Sequence, residues 1–300
     1  MGVLRVGDVR IHHVEEWQGN FPVPPSAFFQ GYDEAAFREL APALTPAYYR
    51  ADADCLYAFL QSWVLEVDGQ TVLFDTGAGN AKERPGIPLF GGLDTPFLTR
   101  LAAAGFAPDE IDVVVCSHLH IDHVGWNTQL HEGRWVPTFP NAQYLFSRVD
   151  RDYWDPRGPG PRPTAGGAHV NSNVFEDSVQ PLLDAGVVTL VDPGHRVSES
   201  VTLEAGPGHT PGHLVMDLRS GGDAALLVGD ILHHPVQVHR PDWNSPFCED
   251  QAQARVTRRR VLADAADRGA LLVPAHFGGV HCCRVRRAGA ECYEPVFEGT

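Results

Sequence analysis

Apolar positions along this chain recur in short blocks of strand length, most of them nearly continuous. Residues 4–14 place Val9, Ile11 and His13 on one face of one or two strands. Blocks 63–67 and 71–74 flank Asp68-Gly69, a dipeptide suited to the left-handed dihedrals of a tight hairpin. Further apolar runs at 111–116, 142–146, 187–191, 224–229 and 271–275, with another strand starting at Leu214, read as buried strands. A closing hairpin is predicted at 281–286 and 291–297, separated by Ala288-Gly289.

Helical spacing appears between these blocks. Residues 94–104 predict a helix with Asp94 or Thr95 at its N-cap and Gly105 at its end, and 173–185 predict another, stopped by Gly186. In 249–267 the stripe Val261, Leu262, Ala265 and Ala266 faces inward, and Arg258-Arg259-Arg260 reads as a solvated face. Strands alternating with helices predict an α/β fold.

Two segments escape either period. Residues 18–54 carry Phe21, Phe28, Phe29, Tyr32, Phe37, Tyr48 and Tyr49 among prolines, with only short helical patterns. That segment suits a cover over an active site, a contact in a homodimer, or an arm packed on the core. Residues 155–168 are crowded with Pro and Gly and predict a loop, one that could hang over the active site.

Length and composition narrow the class. No repeat or Ser/Gly linker divides the 300 residues, so the reading is one domain over 1–300 with an elaboration at 18–54. A formal charge of −15 repels nucleic acid and anionic membrane, which favours a neutral or weakly charged small-molecule substrate. With no apolar run long enough to span a bilayer and no secretory leader pattern, the expectation is a soluble, cytoplasmic protein. The six cysteines are too sparse for a disulfide scaffold, and Cys282-Cys283 reads as ordinary strand.

The candidate chemistry follows the run 111–116. His118-x-His120-x-Asp122-His123 packs three imidazoles and a carboxylate into six residues, where His118 and His120 point the same way and Asp122 and His123 lie past a turn. Two nearby divalent ions would suit that arrangement, because His and Asp ligands accept zinc as well as manganese, cobalt or iron. Asp75, just past a strand, would either cap a turn or accept the second N–H of a ligand histidine. Trp126 would either line the pocket or pack in the core.

The same residues resemble the signature of the metallo-β-lactamase superfamily. Phe74-Asp75-Thr76-Gly77, the histidine motif, Gly206-Pro207-Gly208-His209-Thr210-Pro211-Gly212-His213, Gly229-Asp230 and Pro274-Ala275-His276-Phe277 occur in the family's order. The resemblance implies a four-layer αββα sandwich. It also implies that His118, His120 and His213 hold one ion, that Asp122, His123 and His276 hold the other, and that Asp230 is shared. His209 would support the loop.

Two divalent ions, zinc foremost, would then hold a bridging hydroxide that attacks a carbonyl. Asp122 would carry the proton to the leaving oxygen. Lactone opening or cleavage of a small ester is the leading expectation. Against N-acyl homoserine lactone lactonases, the position three beyond the shared Asp is His233 rather than Tyr. With Val236-Gln237 nearby it looks more like methyl parathion hydrolase-like members. His233 reads as an electrophilic catalytic group or as a buried structural histidine. Phosphotriester or aryl ester hydrolysis, a glyoxalase II-like thioesterase, a β-lactamase and a mononuclear iron oxygenase of the same fold are the other readings.

Overall fold

In a computed structural model of the chain, residues 2–289 and 291–297 are described. Two sheets pack face to face. In space the first runs Leu4–Val6, Val9–Phe21, Cys55–Val67, Gln70–Phe74, Val113–Val115, Gln143–Ser147 and Val188–Val191, with Tyr49–Arg50 added against Cys55–Val67. The second runs His195–Arg196, Val201–Ala205, Leu214–Ser220, Asp223–Gly229 and Leu271–Pro274.

Strand periodicity divides the side chains into three cores. Leu65, Val72, Phe74, Val113, Val115 and Leu145 of the first sheet meet Leu214, Met216, Leu218, Ala225 and Leu227 of the second. Their sequence neighbours Val64, Leu73, Val114 and Tyr144 face outward onto Phe97, Leu101 and Leu182. On the other side Val215, Leu226 and Val228 pack against Val261, Leu262 and Ala265 of the long helix Gln251–Arg268. These four layers are the αββα sandwich. The inner strands Val113–Val115, Asp223–Gly229 and Leu271–Pro274 are buried on both faces over most of their length, which is why their residues read as nearly continuous apolar runs.

Local differences from the sequence expectation have physical causes. The helix predicted at 94–104 begins only at Phe97, because the residue before Pro96 is sterically barred from helical dihedrals. The helix predicted at 173–185 opens with a π-turn, Phe175–Val179, before Gln180–Ala185. Pro181 has no N–H for the carbonyl of Asp177, and that oxygen accepts instead from Thr128 Oγ1 at 2.5 Å and Lys82 Nζ at 3.3 Å. Residues 155–168 are loop only as far as Thr164, which caps the helix Ala165–Val170 through Gly167 N–H.

The segment 18–54 holds two helices, Pro25–Phe28 and Glu34–Leu44, the second capped by Asp33 on Ala36 N–H. Phe29, Phe37, Leu44 and Tyr48 pack with Trp243 on the outer core. The expected arginine face is corrected at one position. Arg258 is 0% exposed, since it shares a helix face with Ala254, Val261, Leu262 and Ala265.

Candidate metal centre

Five loops leave strand ends or enter strands at one edge of the sandwich, and their His and Asp side chains converge there. Asp75 follows the strand Gln70–Phe74 with φ +58°, a left-handed conformation that Asp tolerates better than most residues. The turn aims its carboxylate sideways. It accepts from Ser117 N–H at 2.7 Å and Ser117 Oγ at 2.8 Å, and Oδ2 lies 2.8 Å from His123 Nδ1.

Two groups of donor atoms form around Asp230. His120 Nδ1 and His118 Nε2 lie 2.8 and 3.1 Å from His209 Nε2, and Asp230 Oδ2 lies 3.2 Å from that same nitrogen. On the other side Asp230 Oδ1 lies 3.2 Å from His123 Nε2 and 2.9 Å from His276 Nε2. Asp122 completes this second group, 3.6 Å from each of those imidazoles. One carboxylate therefore faces both groups.

The chemistry of the donor set fits divalent cations. Burial, together with neighbouring imidazoles, pushes His118 and His120 well below the ordinary histidine value, and burial brings His209 down to about 4. His209 Nε2 can share a single proton with only one of its imidazole neighbours, whereas a divalent cation would take up the lone pairs of all three rings at once. His123 Nε2 and Asp230 Oδ1 are buried without hydrogen-bond partners among the described residues. His276 shows the carboxylates' influence: despite burial, Asp230 and Asp122 raise it to about 9.

His213, the expected third imidazole of the first ion, lies outside this group of converging donor atoms. His213 Nε2 accepts the backbone N–H of Asp230 at 3.1 Å, which occupies the lone pair that a metal would need. His209, four residues earlier in the bend, is the histidine that converges with His118 and His120. His213 stacks on His118 with ring centroids 4.9 Å apart and braces it from behind.

Outer partners fix the rings. Ser117 Oγ lies 3.0 Å from His118 Nδ1, and the Phe59 carbonyl lies 2.7 Å from His276 Nδ1. Gln61 holds the loop around His276 by donating to the carbonyls of Pro274 and Phe277, and its Oε1 meets His13 Nε2 at 2.7 Å. Asp150 ties the two histidine loops together, accepting from Leu119 N–H at 3.3 Å, Thr210 Oγ1 at 2.7 Å and Gly212 N–H at 2.6 Å. No added side chain would fit at Gly212, where a Cβ would meet Ser147 Oγ at 2.4 Å. Asp150 was legible only as the third residue of a helix opening at Ser147, Ser-x-x-Asp.

An apolar cleft opens on the donor atoms. It encloses about 670 Å³, open solvent included, and its walls include Phe21, Phe28, Leu60, Phe90, Val170 and Phe247 around Asp122, Asp230, His233 and His276. Neither Lys nor Arg lines it among the described residues. Phe21 and Phe28 come from the aromatic segment and Val170 from the helix after the Pro/Gly-rich loop, so each reaches the cleft through only a few residues. Trp126 does not line it: stacked on Phe97, it donates its indole N–H to buried Glu16 at 2.7 Å.

His233 Nε2 stands 3.2 Å from Asp230 Oδ2, its ring parallel to that of His276 at 5.8 Å, and its Nδ1 is buried without a hydrogen-bond partner among the described residues. His234 also borders the cleft, but both its ring nitrogens have backbone partners, Nε2 3.1 Å from the Tyr48 carbonyl and Nδ1 accepting from Val236 N–H.

The model of the metallo-β-lactamase superfamily matches residues 60–276, from within the strand Cys55–Val67 through His276. The chain belongs to the metallo-β-lactamase superfamily. Within it, the chain is 28% identical over 137 residues to the N-acyl homoserine lactonase AttM of Rhizobium radiobacter, covering 45% of this chain and 46% of that one. AttM of Rhizobium johnstonii is 26% identical over 137 residues, 41% of this chain and 47% of that one. The match therefore spans about half the length of these curated relatives. Among solved structures, the hydrolase AbOPH superposes with TM-score 0.80 at 21% identity, covering 99% of this chain and 97% of that one. AidC, a dizinc quorum-quenching lactonase, superposes with TM-score 0.79 at 20% identity, covering 100% and 97%. At these identities the superpositions establish the superfamily's fold.

Proposed function

We propose that this protein is a dinuclear metal-dependent hydrolase that opens lactones or cleaves small uncharged esters. The observation that carries the reading is Asp230, whose two oxygens face two separate groups of imidazoles at the floor of an apolar cleft. His118, His120 and His209 would hold one ion and Asp122, His123 and His276 the other, with Asp230 shared; zinc suits these nitrogen and oxygen donors. When bound, two such ions supply a hydroxide nucleophile at neutral pH and polarise the substrate oxygen.

The chain's own side chains supply the rest. Asp122, which lines both the second donor group and the cleft, takes the proton from the nucleophile and returns it to the leaving oxygen. His233 faces the same space and donates to the oxygen that gains charge. The apolar walls bind the acyl portion and exclude water. A lining free of Lys and Arg favours an uncharged substrate over a glutathione thioester, whose carboxylates call for a cationic partner. Similarity to the AttM lactonases supports lactones as the first substrates to try.

A second reading has its own observation. Phe21, Phe28 and Phe247 meet edge to face, with centroids 5.8 to 6.4 Å apart, and Phe28 lies 6.0 Å from His233. Such rings suit an aryl leaving group, as in an aryl ester or aryl phosphotriester.

The test is hydrolysis of N-acyl homoserine lactones, simple aliphatic lactones and aryl esters and phosphotriesters by protein whose metal content is counted in the same sample. Lactone turnover with about two ions per chain, lost on chelation and restored by zinc, supports the first reading. Aryl turnover exceeding lactone turnover transfers it to the second. A single iron with oxygen consumption overturns both.

A further inference from the structure

Arg258 is a fully buried cation that no carboxylate contacts within ion-pair distance among the described residues. Burying a guanidinium is costly unless its donors are satisfied, so where they go is informative. Nε donates to the carbonyl of Ile231 at 2.7 Å, the residue immediately after Asp230. Nη1 donates to the carbonyls of Pro241 and Trp243 and to Asn244 Oδ1 at 2.7, 3.2 and 2.9 Å. The guanidinium also neighbours the Cys248 thiol.

Cys248 is itself buried, and its sulfur lies 3.7 Å from His209 Nδ1. The chain on either side of this contact runs along the His209 bend, with Glu249 N–H donating to the His209 carbonyl and Asp250 N–H to the Gly208 carbonyl, both at 2.9 Å. His118, His123 and His276 have oxygen as the outer partner of Nδ1. His209 alone of these four has sulfur there.

We infer that Arg258 and Cys248 are positioning residues that set the affinity of the ion held by His118, His120 and His209. This rests on the dinuclear reading above. An imidazole that binds an ion through Nε2 must carry its proton on Nδ1, and Cys248 Sγ is placed to accept that N–H and fix the ring's tautomer and tilt. Arg258 flanks the thiol and, through its hydrogen bond to the Ile231 carbonyl, holds the backbone beside Asp230. One side chain of the long helix thereby spans the loops that carry two members of the same donor group.

The experiment is a zinc titration against a competing chelator on purified full-length protein, with cobalt spectra of the same variants. Native protein binding two ions, Cys248→Ala losing about tenfold in affinity for one of them with a changed cobalt band, and Cys248→Ser retaining most of that affinity together support the inference. Two ions bound by Cys248→Ala with native affinities and an unchanged cobalt spectrum overturn it, whatever happens to thermal stability. Arg258→Lys, which keeps the charge but not the fork of donors, is expected to weaken the same ion. Weakening of both ions equally, or of the other ion alone, in the folded variants overturns the assignment to His209. If native protein binds fewer than two ions, the dinuclear reading fails before these variants are compared.

Discussion

The backbone N–H of Asp230 is donated to His213 Nε2 at 3.1 Å, so the carboxylate shared by both donor groups is held through its main chain by a histidine that is not among the converging donors. His209→Ala and His213→Ala should then differ in kind. Removing His209 is expected to leave about one ion per chain and to lower turnover by roughly 100-fold or more. Removing His213 is expected to leave two ions bound with a smaller loss, about tenfold. Metal counting beside steady-state kinetics distinguishes them, and the opposite ranking would return the ligand role to His213.

Asp122 is expected to serve both metal binding and proton transfer. In Asp122→Ala both metal occupancy and turnover should fall, the latter by about 10²-fold or more. Full metal content with an unchanged rate would remove Asp122 from the mechanism.

Asp150 gathers donors from the His118–His123 loop and from the bend carrying His209. Asp150→Ala leaves these groups without their acceptor and is expected to cost about 3 kcal/mol. Urea unfolding of chelated protein reads this directly, and a loss below about 0.5 kcal/mol would show that water replaces the carboxylate without penalty.

Stability should fall in acid for a reason remote from the metal-binding atoms. Burial, reinforced by the charge of His281 stacked 3.9 Å away and opposed by Gln61, lowers His13 to about 3 from an ordinary 6.5; Arg100 also disfavours its protonation. Between those values the unfolded chain binds a proton that the folded chain does not. The neutral ring's full contribution is present above pH 6.5 and is lost as pH falls toward 3. From pH 7.5 to 5.0 the expected loss from this residue is about 2 kcal/mol. His13→Gln should flatten that slope in chelated protein, and an unchanged slope would assign the acid sensitivity elsewhere.

The aromatic walls should select substrates by size. Phe28→Ala is expected to raise KM for short acyl chains by several-fold while admitting bulkier ones, and to destabilise the fold by about 3 kcal/mol because Phe28 is buried. A uniform change in KM across a chain-length series would mean that Phe28 does not touch the acyl group.

The layers were legible in the sequence because strands buried on both faces betray themselves as apolar runs, and the positions of Asp75, His118, Asp122 and Asp230 follow from where those runs end. His209 and His213 were not separable that way. They occupy the same Gly-Pro-rich bend, and only a contact with Asp230, distant in sequence, decides which lone pair is free. Arg258 lies in the apolar stripe by helical period, yet its charge argues for solvent; the carbonyls that receive its donors come from residues 231–243, beyond the reach of any periodic signal. Asp150 likewise reads as a helix opening, while its carboxylate works on loops 31 to 62 residues away.

Phe28 belongs both to the packed cluster around Trp243 and to the cleft wall, whereas Tyr57, Ala58 and Val170 line the cleft and belong to no buried cluster. Substrate preference can therefore drift along an inexpensive route through those three positions without eroding the fold. A lineage that changes Phe28 must first acquire surplus stability elsewhere, so the ancestry of new specificities in this scaffold should show compensating core substitutions preceding changes at residue 28.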